Sequence, residues 1–232
     1  MIILKPVVFC FVAIFLLGSC QTSKENKETD SDVKPPEGMV WVAKKQFLQG
    51  AKVGDPMAMK REKPAHEVEV DGFFIDKTEV TNKQFKAFVE STGYKTLAEK
   101  PVKWEDLKQQ LPPSTPKPHD SLLRPGSLIF NKNAKGVLNM NNYYQWWKWQ
   151  IGADWQHPKG PHSSIEDKDD YPVVHIAYED ALAYCKWANR RLPTEAEWES
   201  AALGKLKNTI FAWGNDVSKL DDNANTWQGE FP

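Results

Sequence analysis

The stretch Tyr171–Gly204, "YPVVHIAYEDALAYCKWANRRLPTEAEWESAALG", carries the most regular pattern in the chain. Val173 to Ile176 form a short apolar run that predicts a buried strand, with His175 inside it as a hydrogen-bonded core imidazole. Ala181, Tyr184, Cys185 and Ala188 recur at helical spacing and predict a helix over about 179–189, although Ala177, at its cap position, offers no side-chain acceptor. Thr194 and Glu197 then form a Thr-x-x-Glu capping box for a second helix, in which each side chain satisfies an orphan amide. Its predicted inner face is Trp198, Ala201 and Ala202, and Gly204 is its expected stop. Glu195, Glu197 and Glu199 resemble a catalytic carboxylate cluster, but the capping box accounts for Glu197 and the helix dipole for Glu195.

Upstream, "GMVWVAKKQFLQG" has two short apolar runs, Met39 to Ala43 and Phe47 to Leu48, separated by Lys44-Lys45-Gln46; strand, turn, strand is the expectation. In "AHEVEVDGFFIDKTEVTN", Val68 and Val70 alternate with Glu67 and Glu69 before Phe73, Phe74 and Ile75, which predicts another half-buried strand. Thr81 is placed to cap a helix whose apolar face is Phe85, Phe88 and Val89, with Gly93 where a left-handed residue is wanted. From 95 to 170 the pattern weakens. Prolines at 101, 112, 113, 116, 118 and 125 rule out long elements, while Ser127 to Phe130 fits a short strand. "YYQWWKWQIGADW" places six aromatic residues within thirteen positions, either as core rings or as a ligand-facing wall.

The beginning of the chain is a different material. "MIILKPVVFCFVAIFLLGSC" has one cation, Lys5, before an apolar run from Pro6 to Leu17 that is short for a membrane span and reads as a secretion signal over 1–19. Leu17-Gly18-Ser19-Cys20 resembles a bacterial lipobox, so Cys20 is the expected lipidated N-terminus; the alternative is a plain signal peptide cut near Ser19. Acyl chains would hold the protein on a membrane, each buried methylene contributing about 0.8 kcal/mol. Residues 20–38 are polar, alternate charges and end at Pro35-Pro36-Glu37-Gly38, as a disordered tether does, so the folded domain is expected over 39–232. Gln21 is not the aspartate that retains some lipoproteins at the inner membrane, which favours the outer membrane of the cell envelope.

Thirty basic against thirty-one acidic side chains leave no electrostatic footprint for nucleic acid. The five histidines, His66, His119, His157, His162 and His175, lack the spacing of a helical zinc site, and His157 and His162 bracket a Pro-Lys-Gly-Pro turn. Serine-nucleophile and glycine-rich phosphate motifs are absent from the sequence. Of the three cysteines, Cys10 leaves with the signal and Cys20 carries lipid, which leaves Cys185 on the apolar face of its helix as a buried thiol without a disulfide partner. "WGNDVSKLDDNANTW", with Asp216, Asp221, Asp222, Asn223 and Asn225, is a solvated loop with the hard oxygen donors calcium takes, though not in EF-hand order.

Taken together, "FFIDKTEVTNKQFKAFVESTGYKTLAE", "GADWQHPKGPHSSI", the 171–204 stretch, "FAWGN" and "NANTWQGEFP" resemble the formylglycine-generating enzyme (sulfatase-modifying factor) family. The resemblance runs from about Met39 to Pro232 and implies an irregular α+β, C-type-lectin-like fold, of which these residues would be the N-terminal two-thirds. It also implies oxidation of a cysteine in a Cys-x-Pro-x-Arg segment of a sulfatase, using oxygen and a copper ion held by two thiolates. The family places those cysteines beyond a Gly-Asn-x-Trp-Glu-Trp motif, and neither motif nor pair occurs in this sequence. Asn225, by its side chain, and Thr226, by its carbonyl, match the first two ligands of the family's structural calcium site. Cys185 matches a cysteine that some members pair with a C-terminal partner, Ala202 stands where such members carry another half-cystine, and Ala177 replaces a frequent serine or threonine cap. On the resemblance, Trp227 and Phe231 await a surface supplied from beyond Pro232. The implied roles are a lipid-anchored sulfatase modifier, a non-catalytic envelope scaffold of the gliding or secretion type, or a glycan-binding module built on Trp146 to Trp149.

Overall fold

Residues 39–49 and 66–76 face each other along one antiparallel register. The computed structural model describes residues 34–134, 136–229 and 231; the signal segment, Cys20 and the tether up to residue 33 lie outside the described residues. Strand β1 (Met39–Val42) pairs with β4 (Phe73–Asp76), and β2 (Lys45–Gln49) pairs with β3 (His66–Val70). The two early strands therefore pair with later ones and not with each other. Val42 opposes Phe73 and Lys45 opposes Val70, so the two residues between them on each side cross the break without a slip. Gly72 lies in that break, where a Cβ would sit 2.2 Å from the Trp41 ring. No larger residue fits beside Trp41, which meets Phe74 edge-on at 5.0 Å.

Helix α1 (Asn82–Thr92) begins as its sequence predicts. The Thr81 hydroxyl accepts from Gln84 N, the Gln84 side chain accepts from Thr81 N, and Gly93 ends the helix at φ 66°. The short helix α2 (Trp104–Lys108) precedes a two-stranded sheet of β5 (Gly126–Phe130) and β6 (Trp147–Ile151), antiparallel from Gly126 opposite Ile151 to Phe130 opposite Trp147. Helices α3 (Tyr178–Trp187) and α4 (Glu195–Leu203) follow, and a last turn, α5 (Leu220–Asn223), leads to the extended end.

Two clusters form the core. Phe85, Phe88, Trp155 and Tyr184 pack together, with Phe85 meeting the Trp155 ring edge-on at 5.4 Å. Phe47, Val70 and Leu203 form the second, where α4 covers the β2–β3 sheet. Lys45 fastens that contact by donating to the carbonyls of Gly204 (2.8 Å) and Leu206 (3.1 Å), a cation at the negative end of α4. The result is an irregular α+β architecture of small sheets and short helices, as the resemblance implies.

Three expectations are corrected. Val173 to Ile176 do not form a strand: His175 adopts φ 60°, which breaks the extended run, while Val173 N still donates to Val80 O. The inner face of α4 is Glu197, Ser200 and Leu203, whereas Trp198 is 63% exposed and Ala202 lies outside. The capping box turns Glu197 inward, and the rest of the helix follows at three-residue spacing. Finally, Trp227 and Phe231 are not left wholly without a surface: they meet rings of this chain, while Trp227 stays 51% exposed. Phe130 lies 5.6 Å from Trp227 and 6.5 Å from Phe231, and Trp146 lies 5.4 Å from Phe231.

Candidate functional site

Cys185 is the free cysteine of the described residues and sits half-buried on α3. A cavity of about 840 Å³ opens beside it, walled by Phe73 to Val80, by Tyr184 and by the turn from Ala188 to Pro193. Within this wall Arg190 and Asp76 make a half-buried ion pair. Burial pushes the Cys185 thiol up from its ordinary range, and the Asp76 carboxylate pushes it further, against the opposing Arg190 charge. The thiol therefore stays protonated and weakly nucleophilic, the structural kind of cysteine expected from its place on the apolar face.

The chemistry of this donor set does not fit a two-thiolate copper centre. Soft Cu(I) selects thiolates, and the described residues contain one cysteine whose surroundings oppose ionisation. Among the described residues no group of three or more histidine, cysteine, aspartate or glutamate side chains could hold a metal ion.

The carboxylates of α4 serve its first turn. Arg191 grips Glu197 through two parallel bonds of 2.5 and 2.6 Å, and Thr194 N donates to Glu197 Oε2 at 2.8 Å. The Arg191 bond, with the Thr194 amide behind it, holds the Glu197 carboxyl down to about 2 against the opposing effect of burial. Glu195 is exposed, and Glu199 accepts from Gly50 N at 3.4 Å. These three glutamates are helix-start and packing groups.

Asp180 is the polar residue that sequence reasoning missed. It is 1% exposed and accepts from Tyr94 Oη (2.9 Å), Leu97 N (3.1 Å) and Ala177 N (2.9 Å). Its last bond is half of a capping box and explains how α3 starts at an alanine: the third helical residue reaches back where the cap residue cannot reach forward. An aspartate three positions after Ala177 was the available signal.

His175 is hydrogen-bonded at both ring nitrogens. Nε2 donates to Pro158 O at 2.8 Å, and Nδ1 lies 2.8 Å from Ser127 Oγ, placed to accept from that hydroxyl. It thereby ties the β5–β6 hairpin to the 157–163 turn. That turn is ordered as expected, with Gly160 N donating to His157 O and Ser163 N to Gly160 O. The aromatic stretch divides between its two readings: Trp155 is in the core, while Trp147 and Trp149 project half-exposed from β6.

The oxygen-rich loop is already partly committed. Asp216 accepts from Ser218 N (3.0 Å) and Oγ (2.6 Å), and Asn223 Nδ2 donates to Lys219 O at 2.9 Å. Asn225 is exposed on the extended segment after α5, and Thr226 N turns back to Ala224 O at 3.0 Å. The amide oxygen of Asn225 and the carbonyl of Thr226 are hard donors, but two are fewer than the six to eight that calcium takes. These two residues alone do not make a calcium site.

Comparison with known proteins agrees with the fold. Residues 24–232 match the family model of the sulfatase-modifying factor enzyme 1-like domain. A formylglycine-generating enzyme of Mycobacterium tuberculosis is 44% identical over 183 residues, 78% of this chain and 58% of the relative. An inactive Cα-formylglycine-generating enzyme 2 of Mus musculus is 37% identical over 194 residues, 84% of this chain and 56% of the relative. A hercynine oxygenase of Mycolicibacterium thermoresistibile is 30% identical over 176 residues, 73% of this chain and 31% of the relative. The chain spans about half the length of the curated formylglycine-generating relatives it matches. On the matched span, the ordered motifs and the irregular α+β architecture together, the chain belongs to the formylglycine-generating enzyme (sulfatase-modifying factor) family.

Proposed function

We propose that residues 20–232 are part of a lipid-anchored formylglycine-generating-enzyme-family protein in the cell envelope. The complete protein would oxidise the cysteine of a Cys-x-Pro-x-Arg segment in a sulfatase, with a copper-binding thiolate pair that this sequence does not supply. The observation that supports this reading is the family match over residues 24–232, with Cys185 the one free cysteine among the described residues. The test is a mass-spectrometric assay of the full chain on a Cys-x-Pro-x-Arg peptide with copper and oxygen. No aldehyde product is expected.

A second reading is a non-catalytic envelope protein, favoured by the inactive relative that shares the same span. Mass analysis of the intact protein isolated from its cell separates the two: a cysteine pair assigns it to the enzymes, and a product without one to the scaffolds. In either reading Cys20 carries the lipid, the outer membrane is the favoured site, and Asn225 and Thr226 are ligands that a calcium site completes from other residues. Calcium titration of this chain should therefore show no tight binding; a micromolar site would refute that assignment.

A further inference from the structure

A groove of about 680 Å³ runs along β5 and the turn after it, from Leu128 to Asn133. Its apolar surface includes Leu128, Trp147 and Val174, which are 42%, 38% and 42% exposed. Around them stand three exposed lysines, Lys132, Lys148 and Lys159, and among the described residues no acidic side chain lines the groove. None of the three lysines takes part in an ion pair among the described residues. In a chain of net charge −1 this is a local concentration of one sign, and such concentrations select ligands of the other.

The backbone supplies a direction. Asn131 N donates to Trp146 O and Gly152 N to Pro125 O, so the bonded pairs of the β5–β6 ladder fall on odd-numbered residues of β5. The N–H and C=O of Leu128 and Phe130 therefore face away from β6, and no backbone partner meets them among the described residues. An open strand edge of this kind accepts an extended peptide, with alternate side chains seated in the adjoining groove.

We propose that this groove docks an extended acidic peptide segment of a partner protein, its alternate side chains falling on the two faces of the β5–β6 sheet, apolar against Leu128 and Trp147 on one and acidic on Lys148 on the other, with further carboxylates on Lys132 and Lys159. The same cations would repel the arginine of a Cys-x-Pro-x-Arg segment, so the docked segment is distinct from the sequence to be oxidised. The proposal stands or falls independently of the oxidase reading.

The probe is a fluorescein-labelled peptide, Glu-Asp-Phe-Asp-Glu, titrated by anisotropy against the full chain at low salt. Saturable binding is expected, weakened about tenfold or more by the triple variant K132E/K148E/K159E, and weakened in parallel by added salt. All three lysines are exposed, and an unchanged melting temperature confirms that the variant folds. The variant L128D should lose binding as well, because it places a carboxylate on the apolar floor. Binding that survives the triple reversal, or no binding at millimolar peptide, overturns the proposal. So does lysine-dependent binding to phosphatidylglycerol vesicles without binding to the peptide, which would make the patch a membrane contact.

Discussion

Tyr94 donates its hydroxyl to Asp180 at 2.9 Å, joining the segment after α1 to the first turn of α3 across 86 positions of sequence. Burial, and then the Asp180 carboxylate, push the Tyr94 phenol up to about 12. Because the folded state favours the neutral phenol, this contribution is complete below the ordinary tyrosine pKa of about 10 and is lost as pH rises through about 12. Tyr94→Phe should cost about 1 kcal/mol at neutral pH. It should also flatten the loss of stability in alkali, as read by urea unfolding across that range.

Asp180→Ala is the severer change. It strands Tyr94 Oη, Leu97 N and Ala177 N in a part-buried site, and each orphaned group costs about 1 kcal/mol, for a total of up to about 3 kcal/mol. Thermal melting of both variants checks the order, Asp180→Ala falling well below Tyr94→Phe.

The Arg191–Glu197 clasp works in the opposite pH direction. With the carboxyl held at about 2, its stabilisation is complete above the ordinary glutamate range and disappears as pH falls through about 2. Arg191 is 64% exposed on its side chain, so solvent screening limits the pair to about 1 kcal/mol. Arg191→Ala should lose that amount at neutral pH and almost nothing near the acid limit, measured by denaturant unfolding at both.

How much of this was legible in sequence depends on whether a residue's role is local. Thr81 with Gln84, Thr194 with Glu197 and Gly93 were readable because caps and left-handed stops are decided within four residues. Asp180 was not, because two of its three donors come from the loop at Tyr94 and Leu97. Trp198 was read inward because a large apolar ring usually is; the capping box had already fixed which side of α4 faced the β2–β3 sheet. His175 was read into a strand by its apolar neighbours, yet its hydrogen bonds to Ser127 and Pro158 hold it at positive φ. Cys185 falls on α3 where its helical spacing placed it, half-buried and not fully buried, whereas the lysines of the β5 groove come together only through the fold.

Phe130 gathers the last aromatic residues of the chain, Trp227 and Phe231, against the β5–β6 hairpin. Phe130→Ala should cost about 2 kcal/mol, less than a fully buried phenylalanine would, because these rings remain partly exposed. The segment after α5 should become the first site of proteolysis, detected by limited digestion and mass analysis. An unchanged cleavage pattern would show that the hairpin does not hold this segment.

Cys185 should behave as a structural thiol. Its alkylation by iodoacetamide at neutral pH should run about tenfold slower than that of a free cysteine and accelerate as pH rises. Cys185→Ser should leave the fold intact. Metabolic labelling with a fatty-acid analogue should mark the protein and vanish in Cys20→Ala, with loss from the membrane fraction.

The most direct measurement is the oxidation assay itself: the full chain, copper, oxygen and a Cys-x-Pro-x-Arg peptide, with formylglycine read by mass spectrometry. The account predicts no product, with Cys185→Ser indistinguishable from the unmodified chain. Turnover abolished by Cys185→Ser would contradict it, since a single half-buried thiol would then be carrying chemistry that its surroundings oppose.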